Sequence, residues 1–414
     1  MSTHPRNEGS ELSLKVAFMT VLAKNAVVAK NHRGIDMLLE FSMRNFYSFK
    51  EGATVSFRLD ANCPQYISHG LPYTPVLCIK GANASGKTNL LKAIAFLLHF
   101  CTRSFASEPD DSNFVAPYFD SEDPCEFSVT FQVDAACYEY ELELTNDAIV
   151  RETIYRTKTK KTKIIERNGN TIAYVTKEFA GLSKMNLRNN ASLVSTARQY
   201  AFEELSDVYG FFAKGYSNVG YLGLRENPLQ LNTICKILRD HDDVLDFTKT
   251  FIADCDTGIH DIKILEREDE GKKVYFPVFY HKKDETLHPV IAISESSGTK
   301  TLFRSLGLYK GVLDVGGVLV LDEFDINLHP HILPKLINLF LDAEINTRGA
   351  QLIFSTHNTE IMDLLGRYRT YLVNKDDNES YTYRLDEISG NLIRNDRPIS
   401  PTYNEGKIGG VPKL

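Results

Sequence analysis

Eight residues constrain the fold of this chain more than any others. Gly81-Ala82-Asn83-Ala84-Ser85-Gly86-Lys87-Thr88 fit the pattern G-x-x-x-x-G-K-[ST] at every position. The short apolar run Val76–Ile79 precedes them, and apolar residues at helical spacing follow (Leu90, Leu91, Ile94, Leu97, Leu98). The text therefore reads strand, Gly-rich loop, helix, which is one half of a βαβ unit. Such a loop wraps a phosphate with successive backbone N–H groups, and the helix behind it adds its positive N-terminal end. Glycine at 81 and 86 serves unusual dihedrals and close approach. Lys87 is placed to reach β- and γ-phosphates and Thr88 to give its hydroxyl to Mg²⁺, with Asn83, Ala84 and Ser85 completing the cradle.

A second motif answers the first. Val318-Leu319-Val320-Leu321 is followed at once by Asp322-Glu323. A continuous apolar run suits a parallel strand buried on both faces. Acids at its C-terminal end fall where ligands bind in open α/β sheets. Asp322 is placed to hold Mg²⁺, mostly through its water shell, and Glu323 to polarise an attacking water as general base.

The rest of the chain sets bounds. Its 414 residues correspond to about two to three domains. A hydrophobic share of 43% and a charged share of 24% exclude a disordered or low-complexity chain. The net charge of −7 means that any nucleic-acid contact must come from a local patch. The 7 cysteines, at 63, 78, 101, 125, 137, 235 and 255, contain no C-x-x-C. That pattern indicates neither a disulfide framework nor a zinc ribbon, and it fits a reducing cytoplasm. No run of about 18 apolar residues suggests a membrane span. Val16–Ala23 resembles a signal-peptide core, but Glu8 and Glu11 stand where such a peptide wants positive charge.

Along the chain, 1–36 read as an unassigned N-terminal extension, and 37–182 as a first lobe with the phosphate loop and an antiparallel β subdomain. Phe127, Val129 and Phe131 alternate there, as do Tyr138, Tyr140, Leu142 and Leu144, and Asn168-Gly169 marks a hairpin turn. Residues 183–255 read as a helical insertion too short for a long coiled-coil arm. Residues 256–414 read as a second lobe, with strands to 293 and α/β text after it. Arg151, Arg156, Lys158, Lys160, Lys161, Lys163 and Arg167 stand against only Glu152 and Glu166 over 151–167. This is either a phosphate-backbone stripe or a solvated hairpin that resists edge pairing. His281, His288, His329 and His331 lack partners at ligand spacing, so no metal beyond Mg²⁺ is expected.

Further motifs carry a family resemblance. Ser294-Glu295-Ser296-Ser297-Gly298-Thr299-Lys300 resembles the signature motif of ABC-type ATPases, the branch that holds SMC, recombination-repair and overcoming-lysogenization-defect proteins. Phe324-Asp325-Ile326-Asn327-Leu328-His329-Pro330 resembles that branch's D-loop and its following "LHP" element. Phe354-Ser355-Thr356-His357-Asn358 resembles its histidine switch. The opening Leu39-Glu40-Phe41, Asn45-Phe46 and Ser48-Phe49 and the closing Tyr403 to Pro412 are also similar to that group. The variant Glu-Ser-Ser-Gly-Thr-Lys is similar to bacterial ATP-binding proteins of anti-phage systems such as the PARIS and Septu types.

The resemblance implies an α/β, ABC-type ATPase core, a parallel sheet with helices plus an antiparallel β subdomain, carrying a short helical insertion. It implies ATP and Mg²⁺ as ligands. Ser296, Ser297 and Gly298 would bind the γ-phosphate held by another copy, with Asp325 in the D-loop and His357 sensing that phosphate. It implies a cytoplasmic homo-oligomer, a dimer or larger, that controls a separate toxic effector such as a TOPRIM or HNH nuclease and answers a phage-encoded trigger. Only 57 residues follow His357, too few for an appended nuclease domain. Two departures point to slow turnover. No glutamine matches the Q-loop, Gln132 lying inside a strand-like run, and Ser297 stands where ABC transporters have glycine. A DNA-repair ATPase of the same fold and a nucleotide-locked structural protein are the alternatives.

Overall fold

The computed structural model describes residues 35–412, apart from 221–222, 225–229, 256 and 391. Nearly all of the expected N-terminal extension lies outside the described residues. In chain order, β1 (Met37–Arg44) and β2 (Ala53–Ser56) precede β3 (Val76–Lys80), which enters the phosphate loop. A meander follows: β4 (Cys125–Val133), β5 (Ala136–Leu144), β6 (Ile149–Thr157), β7 (Lys161–Asn168) and β8 (Thr171–Val175). Then come β9 (Tyr216–Ser217), the small hairpin β10 (Val219–Gly220) and β11 (Gly223–Leu224), and the ribbon β12 (Ile259–Asp269), β13 (Lys272–Lys283) and β14 (Thr286–Ile291). The chain closes with β15 (Val318–Leu321), β16 (Gln351–Ser355), β17 (Thr370–Asp376) and β18 (Glu379–Arg384).

Two large sheets organise the molecule. The first is antiparallel, in the order β2-β1-β4-β5-β6-β7-β8. The second runs β18-β17-β3-β16-β15-β9, parallel except for the β17–β18 hairpin. The fold is thus mixed α/β, with an antiparallel subdomain beside a mainly parallel sheet.

Sequence periodicity explains the layering. In β4 every second residue is buried, so one face of the antiparallel sheet meets the core and the other meets water. In β3 and β16 every residue is buried. There the pleat sends alternate residues to different cores. Leu77, Ile79, Val318, Val320 and Ile353 join a core with the antiparallel sheet and the helix Lys87–Arg103. Val76, Cys78, Leu319, Leu321, Leu352 and Phe354 join a second core under the helix Ser297–Val315.

Residues 183–255, expected as one helical insertion, divide between these two cores. Helices Leu193–Gln199 and Ser206–Ala213 give Leu193, Val194, Phe211 and Phe212 to the first. Helices Leu231–Asp240 and Asp242–Ala253 give Ile234, Leu238, Val244 and Ile252 to the second. Between them β9 pairs with β15 at the edge of the parallel sheet. A helical pattern shows that a face is apolar but not which neighbour will cover it. No helix among the described residues is long and apolar enough to cross a membrane.

Candidate nucleotide site

The two glycines of the phosphate loop are needed for different reasons. Gly86 has φ +113°, a backbone that side chains rarely adopt, and a Cβ there would stand 2.6 Å from Ser380 Oγ and 3.0 Å from Ser48 Oγ. At Gly81 the constraint is space, since a Cβ would stand 2.3 Å from the Val373 carbonyl oxygen. Ser380, on the edge strand β18, braces the loop from behind. Its hydroxyl donates to Ser85 O at 2.7 Å and lies 2.8 Å from Ser48 Oγ. Asn89 completes the brace with a 3.0 Å bond to Ser48.

Ahead of this brace the loop is rich in donors. The helix opens at Lys87, so the N–H groups of its first turn have no intrahelical acceptor. The Ser85 hydroxyl is buried and has no hydrogen-bond partner among the described residues. Lys87 Nζ spans the loop, donating to the carbonyls of Gly81 and Ala82 at 3.0 Å each. Burial lowers the Lys87 pKa, and the nearby carboxylates of Asp322, Glu323 and Asp325 oppose that shift.

The acids stand at the C-terminal end of β15, level with the ends of β3 and β16. Asp322 is 3% exposed. Its Oδ2 accepts a 2.6 Å bond from Thr88 Oγ1, its Oδ1 accepts from Ser355 Oγ, and Asn218 holds its backbone on both sides at 2.8 and 2.9 Å. Glu323 has φ +50°, and its N–H is pinned to Ser355 Oγ at 2.9 Å, which turns the chain sharply after the strand. The His357 N–H donates to both oxygens of Asp325 at 3.2 Å, and the His357 carbonyl accepts from Lys80 Nζ. The His357 side chain lies at the surface.

The donor set fits an anion and a hard cation side by side. Free N–H groups, the unpartnered Ser85 hydroxyl and Lys87 suit phosphate. The touching Thr88 and Asp322 oxygens suit Mg²⁺, which prefers oxygen ligands.

A family described as "AAA domain, putative AbiEii toxin, Type IV TA system" matches residues 76–363, well over half of the chain. The chain belongs to this AAA-domain family. Among solved structures it is similar to the SMC head domain from Thermotoga maritima, at 15% identity over 84% of this chain and 98% of that one, TM-score 0.41. It is similar to the recombination mediator protein RecF of the RecFOR pathway, at 13% identity over 85% and 99%, TM-score 0.39. It is similar to an Smc head domain with a coiled coil and joint from Pyrococcus yayanosii, at 9% identity over 90% and 100%, TM-score 0.45. No curated protein matches it.

In this AAA-domain protein the remaining sequence candidates fall in three places. Ser296 caps the helix Ser297–Val315, its hydroxyl accepting the Thr299 N–H at 3.1 Å. A Cβ on Gly298 would come within 3.1 Å of Asn327 O. Gln132 is a strand residue opposite Cys137, and its amide donates to Asp134 O. In the basic stretch, Arg151, Arg156, Lys161 and Lys163 pair with Glu143, Glu178, Glu139 and Glu166, and Arg167 is buried beside Glu152. Among the described residues no group of three metal-ligating side chains comes together.

Asn218, Ser380 and Lys80 belong to the site but have no motif of their own, whereas Ser48 stands in the opening Ser48-Phe49 resemblance. Lys80 follows the apolar run Val76–Ile79 as a charged residue.

Proposed function

We propose that this AAA-domain protein is a slow ATPase whose composite sites form between copies, and that in the cytoplasm it serves as sensor and scaffold for a separate toxic effector in anti-phage defence. The observation that carries the reading is the Thr88–Asp322 contact at the mouth of a donor-rich loop. A serine or threonine ending the phosphate loop and an acid ending a buried strand are the two protein ligands that MgATP chemistry requires. When bound, Mg²⁺ supplies charge neutralisation at the phosphate oxygens. The chain's own residues do the rest. Lys87 and the first-turn N–H groups bind the phosphates. Glu323, whose N–H is fixed by Ser355, orients and deprotonates the attacking water. His357 reads the γ-phosphate from the neighbouring strand end. Ser296, Ser297 and Gly298 complete the site of a second copy, with Asp325 behind it.

The defence role rests on the variant signature and on the toxin and Type IV TA wording of the family's description. The effector would be a TOPRIM or HNH nuclease, and the trigger phage-encoded. A DNA-binding role resembling that of repair ATPases has less support, because Arg151, Arg156, Lys161, Lys163 and Arg167 are each paired with a carboxylate.

The test is phosphate release and native mass spectrometry of wild-type and Glu323→Gln protein from its own host, with and without ATP. The expected result is an ATP-dependent dimer or larger assembly with a stoichiometric second protein, and phosphate release lower by about 100-fold or more in the variant. Unchanged release would place hydrolysis elsewhere. A monomer in both conditions would overturn the composite site. Duplex DNA retention that falls on mutating Lys158, Lys160, Lys161 and Lys163 would favour the repair role.

A further inference from the structure

Lys80 has no part in the phosphate-loop pattern, yet it is 2% exposed and ends a strand that is otherwise wholly apolar. Burying an ammonium is expensive unless it is paired and hydrogen-bonded, so its partners indicate its role. Nζ donates to the His357 carbonyl. The Asp325 carboxylate, close enough to favour the charged lysine, takes the His357 N–H. The remaining wall is Tyr403, whose ring centroid is 5.6 Å from Nζ. Tyr403 is itself fixed, its hydroxyl donating to Gly410 O at 2.7 Å and its helix start capped by Asp363 at the Ser400 N–H.

We propose that Lys80 is a positioning residue for His357, its ammonium and the Asp325 carboxylate gripping the backbone C=O and N–H of that one residue so that the imidazole moves from a fixed backbone. The inference rests on the reading of His357 as the γ-phosphate sensor. Direct phosphate binding is a poorer account of Lys80, because it is Lys87 that spans the loop, while Lys80 Nζ is spent on the His357 carbonyl outside it. Without Lys80 the His357 carbonyl loses that donor, and the two bonds from the His357 N–H to Asp325 remain. The D-loop, the switch and the C-terminal segment around Tyr403 thus meet at one side chain.

The experiment compares wild-type, Lys80→Met, Lys80→Arg and Asp325→Asn by amide hydrogen exchange without nucleotide, then by ATP turnover. Exchange of the peptide spanning 354–360 should rise at least tenfold in Lys80→Met and in Asp325→Asn, with the loop peptide 81–88 unchanged. Lys80→Arg, which keeps a donor, should restore part of the protection. In turnover, Lys80→Met should lower kcat 10- to 100-fold with KM for ATP within threefold. Adding Lys80→Met to His357→Ala should cost nothing further, since both act through one ring. Unchanged exchange over 354–360, or a loss of ATP affinity with kcat retained, would overturn the proposal. A wild-type protein that releases no phosphate would sink the ATPase reading, and the exchange comparison would still decide the role of Lys80. Should Lys80→Met fail to fold, the Arg and Asp325→Asn proteins carry the same comparison.

Discussion

Arg167 and Glu152 are both fully buried, with 3.6 Å between Nη1 and Oε2, and replacing the arginine by methionine should have a cost that depends on pH. Glu152 also accepts from the Tyr140 hydroxyl at 2.8 Å and from the Leu193 N–H at 2.8 and 3.0 Å. Arg167 donates to the carbonyls of Gly169, Ala191 and Arg188 at 2.7, 2.8 and 2.8 Å. The pair therefore ties the antiparallel sheet to the helix Leu193–Gln199. Methionine fills similar space but leaves three acceptors and a carboxylate without their partner. Removing one member of a buried ion pair costs about 3–5 kcal/mol.

Burial pushes the Glu152 pKa up to about 7, with Arg167 the main opposing influence. Without Arg167 it should climb further. A carboxyl whose folded pKa lies above its ordinary 4.5 binds more protons when folded, so stability falls as pH rises from 4.5 through the folded value. In the variant that window extends upward. Above about 7 the penalty should therefore grow with pH, and it should be larger at pH 8 than at pH 5.5. At pH 5.5 Glu152 is protonated in both proteins, and only the lost hydrogen bonds remain, about 1–3 kcal/mol. Urea unfolding at both pH values measures the difference, followed by circular dichroism because the chain has no tryptophan. The double variant Glu152→Gln/Arg167→Met should recover part of the loss at pH 8. An equal loss at both pH values, with no recovery in the double variant, would refute the reasoning.

Three further outcomes are expected. Gly86→Ala should weaken ATP binding about tenfold or more in a fluorescent-nucleotide titration, because backbone strain of about 1–3 kcal/mol adds to the contact with Ser380. Asn218→Ala removes both bonds that frame Asp322, so the Mg²⁺ concentration for half-maximal phosphate release should rise roughly tenfold. Burial lowers Lys80 to about 8, with Cys78 and Asp325 favouring its charge and Lys87 opposing it. Between about 8 and its ordinary 10.5 the unfolded chain binds the extra proton, so wild-type stability should gain on Lys80→Met as pH rises through that window. Chemical denaturation at pH 7, 8.5 and 10 checks the sign.

Local features of this chain were legible before any coordinates. The apolar runs Val76–Ile79 and Val318–Leu321 fall in β3 and β15, because a strand covered on both faces is built mostly from apolar residues. The spacing of Lys87 and Thr88 after two glycines carries its own geometry. What escaped was everything decided at long range. Asn218 frames Asp322 across 104 positions, and no local pattern announces it. Ser380 is an ordinary serine, and Ser48 only part of an opening resemblance, until Gly86 is seen lying against both. The 183–255 segment has the right periodicity for helices, but its split between two cores depends on where β9 joins the sheet.

The serine brace also says something about when this site comes into being. Ser48 and Ser380 are separated by 332 positions, yet their hydroxyls lie side by side behind the loop. During synthesis the loop sequence emerges early, and β18, its rear support, is among the last elements made. Contacts this distant in sequence form late, after the entropy of closing the intervening chain has been met. A nascent chain that stops short of residue 379 would display the nucleotide motif without its wall. The support behind Gly86 thus comes into being only once both ends of this long stretch of chain have been made.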